Sequence, residues 1–250
     1  MLVLENVSVH YGRAIALASV NMEIKEGEFV AVIGANGAGK STLLRAISGL
    51  VELERGKITL NDELLVESTK SEFRNMGRNK SLDPHEIVKR GIIHCPERRR
   101  LFHDSTVEEN LLLGAYTYKE DKDAVKEELE KVLKLFPVLA DRLSEKAGNF
   151  SGGQQQMIAV ARSLMGKPKI LMLDEPSLGL APLIKEDIVN KIKEIQKQGV
   201  TTLLIEQDAS IALSIADRAY LLEDGAIDRK GTCTEFLNDS YIKESYLGLM

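Results

Sequence analysis

The sequence predicts an α/β fold built around a mostly parallel sheet. The continuous apolar run at residues 29–33 has the composition of a strand that is buried on both faces, a second buried strand is predicted at 169–173, and a further strand is predicted at 201–205. Segments with a helical pattern separate these strands along the chain, and such alternation is typical of parallel α/β proteins. The 250 residues are enough to bury one large core or two small ones.

The remaining elements follow from local patterns. Alternating apolar and polar residues predict half-buried antiparallel strands at 2–10 and 18–25, and a further strand is predicted at 57–60. Residues 62–90 are mostly polar, and we predict a solvated excursion there. A hairpin is predicted at 219–227. Helices are predicted up to about residue 49 and at 106–113, 123–136, 151–165, 183–198 and 210–216.

We expect a single domain, residues 1–250, that consists of two parts. The helices between residues 106 and 165 are consecutive, which favours a helical subdomain at 97–166. The parallel sheet and the antiparallel strands would then form a core from residues 1–96 and 167–250. The sequence contains no internal repeat and no low-complexity linker.

Composition and charge argue against several functions. The net charge is -5, from 33 Lys+Arg against 38 Asp+Glu, and binding to nucleic acid requires the opposite excess. Cys95 and Cys233 lack metal-ligand spacing and are interpreted as reduced thiols of a cytosolic protein. We find no signal peptide and no apolar run of about 20 residues, so a membrane role would require a partner.

The strongest motif is a glycine-rich segment with the pattern Gly34-x-x-x-x-Gly39-Lys40-Ser41. Its glycines allow successive backbone N–H groups to point at phosphate oxygens, and the following helix adds its positive end. Lys40 would reach the β- and γ-phosphates of a nucleotide, and the Ser41 hydroxyl would bind Mg²⁺. A chance glycine turn is the alternative, but the buried strand before it and the helix after it argue against chance.

Two acidic residues form a second motif, because Asp174 and Glu175 end the apolar run at 169–173. The carboxyl ends of parallel strands are where α/β sheets bind ligands. Asp174 would hold Mg²⁺, and Glu175 would orient and deprotonate the attacking water. A strand that ends in two acids is as often an ordinary loop start, so this prediction depends on the glycine-rich segment.

A third motif, Ser151-Gly152-Gly153, stands at the start of a predicted helix. A hydroxyl and glycine N–H groups at a helix N-terminus make an anion site. An ordinary helix cap is the alternative. We call residues 151–153 the Ser151 turn and residues 34–42 the phosphate loop.

These three motifs, in this order and spacing, resemble the ATPases of the ABC family over essentially the whole chain. The resemblance implies a P-loop NTPase core, an antiparallel β-subdomain and an inserted helical subdomain. It also implies that the Ser151 turn of one subunit closes over ATP held by the phosphate loop of a second subunit. Tyr11 would stack on adenine, although an ordinary strand-end tyrosine is the alternative. The resemblance assigns the remaining nucleotide contacts to Asn36, Gly37 and Thr42.

Three positions depart from the general ABC pattern: Glu97 replaces Gln, Gln207 replaces His, and Ala181 replaces Asp in the interface loop, residues 177–182. Together they resemble the ATPases of branched-chain amino-acid importers, as do the segments 106–111 and 246–249. The match is to the smaller of the two paralogous ATPases in such importers.

The departures also have chemical consequences. Glu97 can still bind Mg²⁺ or its waters. Gln207 can hydrogen-bond the γ-phosphate without titrating near neutral pH, so Glu175 would carry more of the catalysis. Arg98 stands where a glycine is usual, and the stretch at 62–80 is longer than the subfamily pattern.

The resemblance implies several partners at the cytoplasmic face of the membrane. These are integral membrane permease subunits, a second ATPase subunit that is identical or paralogous, and indirectly an extracytoplasmic substrate-binding protein. The permease contact is expected at residues 97–104, which we call the Glu97 loop, where Leu101 and Phe102 stand among charged residues. A solvated loop with two core-facing apolar residues is the alternative.

Three other functions remain open from the sequence. A non-transport ABC module that acts on DNA or the ribosome usually has coiled-coil insertions or two cassettes, and neither is present. A regulatory ATP-binding module with negligible hydrolysis is suggested by Gln207 and Ala181. The ATPases of urea or short-amide importers have closely similar sequences.

Overall fold

The computed structural model describes residues 1–69 and 79–248. Its strands are β1 (Leu2–Tyr11), β2 (Ala14–Ile24), β3 (Phe29–Ile33), β4 (Arg55–Leu60), β5 (Glu63–Thr69), β6 (Asn79–Ser81), β7 (Ile92–Cys95), β8 (Ile170–Asp174), β9 (Thr201–Glu206), β10 (Arg218–Glu223) and β11 (Ala226–Thr232). Its α-helices are α1 (Lys40–Ile47), α2 (Pro84–Lys89), α3 (Val107–Gly114), α4 (Lys122–Leu135), α5 (Pro137–Ala140), α6 (Gly152–Leu164), α7 (Pro182–Lys197), α8 (Ala209–Ile215), α9 (Cys233–Asn238) and α10 (Ser240–Tyr246).

The chain folds as two compact units, one from Met1–Ile87 and Thr201–Met250, the other from Val88–Val200. In the first unit, β10, β3 and β9 run parallel, β11 is antiparallel to β10, and a separate antiparallel sheet has the order β2-β1-β4-β5-β6. In the second unit, β7 and β8 are parallel. The predicted α/β class is confirmed, with parallel pairing of β10, β3 and β9 and of β7 and β8 beside the separate antiparallel sheet. The division into a helical subdomain at 97–166 and a core stays a prediction.

The central strands of the first unit are buried as their composition predicts. All five residues of β3 and all six of β9 are buried, and the two strands pair in parallel from Phe29↔Thr202 to Ile33↔Glu206. β1 alternates buried and accessible residues against β2, since it belongs to a sheet with one core-facing side. β2 begins at Ala14, earlier than predicted.

The predicted excursion at 62–90 is wrong for most of its described residues. β5 pairs with β4, β6 pairs with β5, and α2 follows. Leu65, Val66 and Ile87 are almost fully buried, so three apolar side chains are enough to hold this polar stretch against the core. The part of the excursion at 70–78 lies outside the described residues.

Two helices of the second unit approach each other at backbone distance. A Cβ built on Gly114 of α3 would lie 1.9 Å from the carbonyl oxygen of Arg162 on α6. Glycine is therefore required there for the helices to touch. No helix in the described part of the chain is long and apolar enough to cross a membrane.

Both cysteines are free and buried. Burial raises the pKa of Cys95 to about 11 and the pKa of Cys233 to about 11. The thiols are therefore protonated and unreactive at neutral pH, which fits packing rather than chemistry.

An ion pair joins the starts of two strands in the first unit. Arg218 donates from Nε and Nη2 to the two carboxylate oxygens of Glu28, the Nη2–Oε2 distance being 3.0 Å, and its guanidinium lies over the ring of Tyr220. The exposed fractions of the side chains are 22% for Arg218 and 12% for Glu28. Burial raises the pKa of Glu28, but the hydrogen bonds and charge of Arg218 outweigh it, so the net pKa is lowered.

We expect Glu28→Gln to reduce the free energy of unfolding at pH 7 by about 2 kcal/mol, because the variant leaves a partly buried guanidinium without its counter-charge. The folded-state pKa of Glu28 lies below the ordinary value of 4.5. Its contribution is therefore present above that value and is lost as pH falls through the folded-state pKa. Urea denaturation at pH 7 and in acid measures this, with the exposed neighbour Glu26→Gln as the control. A deficit that stays constant with pH would contradict the assignment.

Candidate functional site

The phosphate loop connects β3 to α1 and lies against neighbouring strands of its own unit. A Cβ on Gly34 would lie 2.2 Å from the carbonyl oxygen of Leu222, and a Cβ on Gly39 would lie 2.4 Å from that of Ala16. Gly39 also has a φ of +105°, which side-chain-bearing residues rarely adopt. These two glycines are therefore needed to seat the loop, whatever the loop binds.

A hydrogen bond joins the same loop to the turn between β10 and β11, and a second bond joins that turn to β2. Gly225, in the turn between β10 and β11, donates its N–H to the carbonyl oxygen of Ala38 at 3.0 Å, and Ala18 of β2 donates to the carbonyl of Gly225 at 2.8 Å. Asn36 and Gly37, at the crest of the loop, are exposed. The base of the loop is thus fixed while its crest faces solvent.

Lys40 provides the positive charge of the loop. Its side chain is only 5% exposed, and Nζ donates to the carbonyl oxygens of Gly34 at 2.9 Å and Ala35 at 3.2 Å. The ammonium therefore lies inside the curve of the loop. The half-buried Ser41 and Thr42 follow in the first turn of α1, which contains no acidic residue. A lysine, two hydroxyls and the positive end of a helix together suit a phosphate chain.

Two further predicted residues lie in this unit. Gln207 is exposed and directly follows β9, whose last pair, Ile33↔Glu206, places it at the same edge of the sheet as Gly34. Tyr11 ends β1, pairs with Ala14 and is 48% exposed. The structure therefore brings Gln207 to the edge where the phosphate loop starts and leaves the Tyr11 ring open to solvent.

The acidic residues of the second unit lie at one end of its strand pair. β7 and β8 are parallel, and their last paired residues are Cys95 and Leu173. Glu97 follows the end of β7, and Asp174 and Glu175 stand at the neighbouring end of β8. Asp174 is 5% exposed. Glu175 has a φ of +47°, a strained value for a non-glycine residue and of a kind that recurs at functional sites.

Glu97 and Glu175 share a pocket of about 200 Å³ in this unit. The pocket brings together two carboxylates that stand far apart in sequence, one predicted to bind Mg²⁺ and the other predicted to activate water. The other residues that line the pocket were not predicted from the sequence, because the run of three arginines gives no local signal of which side chains line a pocket. The remaining lining residues are Arg98, Arg99, Gln156 and Leu178.

The predicted Mg²⁺ ligands are oxygen donors of the kind this ion takes. Within the described residues, no group of three or more His, Cys, Asp or Glu side chains is placed to hold a metal. Mg²⁺ in nucleotide sites usually has one or two protein ligands, with phosphate and water completing the octahedron. The donor chemistry of Ser41, Asp174 and Glu97 therefore fits Mg²⁺ bound together with a nucleotide.

The Ser151 turn caps α6 and also suits an anion. Ser151 Oγ accepts from the N–H of Gln154 at 3.4 Å, and Gln154 Oε1 accepts from the N–H of Ser151 at 3.1 Å. The capping boxes of α3 and α9 use the carboxylates of Glu109 and Glu235 instead. At Ser151 the partner is a neutral amide, so the positive end of α6 is not neutralised and the hydroxyl hydrogen remains able to donate.

The glycines of this turn differ in their surroundings. Gly152 is exposed, whereas Gly153 is buried and a Cβ there would lie 2.1 Å from Cγ2 of Ile184 on α7. Gly153 is therefore required for α6 to pack against α7. This structural role exists beside the predicted nucleotide contact.

The Glu97 loop has an unusual backbone. Arg98, Arg99 and Arg100 have φ values of +62°, +60° and +45°, a left-handed conformation at three successive residues that carry side chains. Arg162 of α6 holds this segment, donating from Nη1 to the carbonyl of Arg100 and from Nη2 to that of Arg99, both at 2.9 Å. Burial lowers the pKa of Arg162, yet a guanidinium keeps its proton at neutral pH.

A buried amide holds the other half of this loop. Asn110 of α3 is fully buried; its Oδ1 accepts from the N–H of Phe102 at 3.0 Å and its Nδ2 donates to the carbonyls of Phe102 and Thr106 at 3.0 and 2.9 Å. Leu101 is buried, and Phe102 is 59% exposed. Of the two apolar residues predicted to face a partner, only Phe102 is available to one.

The interface loop leads into α7 without a side-chain cap. Ala181 occupies the N-cap position and its side chain makes no capping hydrogen bond. The aspartate usual at this position belongs to the residue types that cap helices best. Alanine in place of aspartate at position 181 therefore removes a capping hydrogen bond as well as a negative charge. Leu178, at 47%, and Leu183, at 76%, are both well exposed.

The fold and the phosphate loop define the chain as a P-loop nucleotide-binding protein. A family model described as ABC transporter matches residues 17–178. The chain belongs to the ABC transporter family. The assignment made from the three motifs is thereby confirmed.

Curated relatives match along the whole chain. The chain is 44% identical over 248 residues to the high-affinity branched-chain amino acid transport ATP-binding protein BraG of Pseudomonas aeruginosa, covering 99% of this chain and 100% of the relative. It is 38% identical over 235 residues to the probable branched-chain amino acid transport ATP-binding protein LivF of Archaeoglobus fulgidus, with 94% and 93% covered.

Solved structures have the same fold. MJ1267, an ATP-binding cassette of an ABC transporter in its ADP conformation, aligns with a TM-score of 0.81 at 28% identity, covering 99% of this chain and 98% of the other. A dimeric post-hydrolysis state of the cassette MJ0796, bound to ADP and Pi, aligns with a TM-score of 0.77 at 28% identity, with 93% and 99% covered.

We expect Gly39→Ala to lower the free energy of unfolding by about 3 kcal/mol, because the added Cβ meets a backbone carbonyl and the φ is strained. Gly37→Ala is the matched control, since its φ of +85° is also strained but no atom lies within 4 Å of the added Cβ. It should cost about 1 kcal/mol. Urea denaturation of both variants measures the difference, and equal losses would disprove the close approach to Ala16.

Proposed function

We propose that this chain is the ATP-hydrolysing subunit of an importer of branched-chain amino acids. The observation that carries the proposal is the end-to-end likeness to the Pseudomonas aeruginosa branched-chain amino acid transport ATP-binding protein, at 44% identity. The positions Glu97, Ala181 and Gln207, which depart from the general ABC pattern, support the same subfamily.

The phosphate loop binds the triphosphate of ATP in this proposal. Backbone N–H groups from Gly34 to Thr42 surround the β- and γ-phosphates, and Lys40 exchanges its bonds to the carbonyls of Gly34 and Ala35 for bonds to phosphate oxygens. Tyr11, whose ring is half exposed, stacks on adenine.

Ser41, Asp174 and Glu97 are the proposed holders of Mg²⁺, directly or through water. When bound, the ion would offset the negative charge of the phosphates as hydrolysis proceeds. Asp174 is buried at the end of β8, so its carboxylate has a fixed position from which to bind.

Glu175 is the proposed general base. It accepts a proton from the water that attacks the γ-phosphorus, and the bond from that phosphorus to the β–γ bridging oxygen breaks. Gln207 hydrogen-bonds the γ-phosphate and does not titrate, so it adds no pH dependence near neutrality.

A second subunit completes the site in this proposal. Its Ser151 turn donates the Ser151 hydroxyl and the N–H groups of Gly152 and Gly153 to the γ-phosphate. ATP then favours the closed dimer because it contacts both subunits only in that state, and hydrolysis allows reopening. The second subunit is a copy of this chain or a paralogue.

The transporter context completes the proposal. The chain lies at the cytoplasmic face of the membrane and contacts permease subunits through the exposed Phe102. An extracytoplasmic binding protein delivers the substrate to the permease. Residues 97–166 form the helical subdomain that transmits the motion, and residues 1–96 and 167–250 form the core.

We expect Glu175→Gln to leave the Kd for ATP within about twofold of wild type and to lower turnover by at least about 100-fold, since the amide cannot accept the proton. Phosphate release and equilibrium ATP binding measure the two effects. Glu186→Gln, a charge-matched change on α7, is the control. Unchanged turnover in Glu175→Gln would remove this residue from its role.

Transport itself is tested by deleting the gene from its host and measuring uptake of labelled leucine, isoleucine and valine. Uptake of all three should fall and should return with the wild-type gene but not with Lys40→Ala. Loss of urea uptake with normal leucine uptake would assign the chain to a urea importer. Normal uptake of every solute would favour a module without a transport function.

A further inference from the structure

The side chain of Arg99 lies directly against the Ser151 turn of its own unit. The position of a Cβ built on Gly152 is 3.2 Å from Nη2 of Arg99, 3.4 Å from Nη1 and 3.5 Å from Cζ. All three distances are similar, so the guanidinium covers the face of Gly152. A larger residue at 152 would push it away.

The backbone of the Glu97 loop produces this placement. Left-handed φ values at Arg98, Arg99 and Arg100 turn the chain back, and the two hydrogen bonds from Arg162 hold the turn. Because Arg162 belongs to α6, the helix that begins at Gly152 also fixes the loop that covers its first residue.

The charges around Arg99 leave it able to bind an anion, although the carboxylates of Glu97 and Glu175 line the same pocket. The guanidinium stands beside the N-terminus of a 13-residue helix whose first turn contains no acidic residue and whose cap partner is the neutral Gln154. Cations are disfavoured at that end of a helix. Among residues 1–69 and 79–248, the Arg99 guanidinium has no hydrogen-bond or ion-pair partner, whereas its neighbour Arg98 pairs with Glu97 at 3.3 Å.

We propose that Arg99 is a further phosphate-binding residue, which acts with the Ser151 turn on ATP held by the phosphate loop of a second copy of this chain. The inference rests on the proposed composite site. A guanidinium offers two parallel N–H donors, which match two oxygens of a terminal phosphate. Gly152 thus has two uses, since it lets phosphate approach the helix and leaves room for Arg99.

The test uses the purified full-length chain and its intermolecular complementation. Arg99→Ala should lower phosphate release at saturating ATP by at least about tenfold and leave the Kd of the single chain for ATP within about twofold. Arg100→Ala is the matched control, because Arg100 is exposed and lies outside the pocket that Glu97 and Glu175 line, and it should stay within about twofold of wild type. Arg99→Lys should be intermediate because it keeps the charge and loses the fork.

Complementation separates action on the partner from action on the chain's own site. Lys40→Ala disables a phosphate loop but leaves the Ser151 turn and Arg99 intact. When excess Lys40→Ala chain is added to Arg99→Ala chain, the intact phosphate loop of one variant meets the intact Arg99 of the other. Phosphate release, calculated per intact phosphate loop, should therefore return to the wild-type value. Excess Lys40→Ala/Arg99→Ala chain should not restore it. Thermal unfolding of each variant confirms that it is folded.

Three results would overturn the inference. Activity of Arg99→Ala equal to that of Arg100→Ala and of wild type would show that the guanidinium contacts no phosphate. A lowered rate that Lys40→Ala chain cannot restore would assign Arg99 to its own chain's Glu175, which lines the same pocket. Wild-type hydrolysis at a constant rate per chain, at protein concentrations where sedimentation shows only single chains, would instead disprove the composite site on which the inference rests.

Discussion

The close seating of the phosphate loop on its neighbouring strands is the constraint on which the first unit depends. Carbonyl oxygens from β2 and β10 occupy the space that Cβ atoms at Gly39 and Gly34 would need. The Ala18–Gly225–Ala38 hydrogen bonds then tie the loop to both strands. Because the base is rigid, Lys40 is held inside the loop before any ligand arrives. Such preorganisation lowers the entropic cost of binding a flexible triphosphate.

In the second unit, several of the charged side chains lie on the irregular Glu97 loop, so their positions depend on what holds the loop backbone. One buried and one half-buried polar side chain hold the backbone of this loop. Asn110 fixes the backbone of Phe102, and Arg162 fixes that of Arg99 and Arg100. Asn110 belongs to α3 and Arg162 belongs to α6, so two helices fix the backbone of the irregular Glu97 loop.

Much of this architecture could be predicted from the sequence. Mostly apolar runs predicted β3 and β8, and the Ser151 turn predicted the start of α6, because buried strands and helix caps have recognisable local sequences. The short strand β7 and the pair β5–β6 were missed, since their stability comes from pairing with distant strands rather than from their own composition. The position of the Arg99 side chain could not be predicted from local patterns either. It depends on the hydrogen bond from Arg162, which is more than sixty positions away in the sequence.

The missing side chain at Gly114 has a mechanical consequence. Its contact with the carbonyl of Arg162 leaves no layer of side chains between α3 and α6 to absorb a shear. At this point a sliding of α3 along α6 would bring backbone against backbone, so we expect the two helices to shift together. Phe102 is attached to α3 through Asn110, and Ser151 caps α6. A displacement of Phe102 is therefore expected to reach the Ser151 turn through these two helices, because closely packed interiors transmit strain.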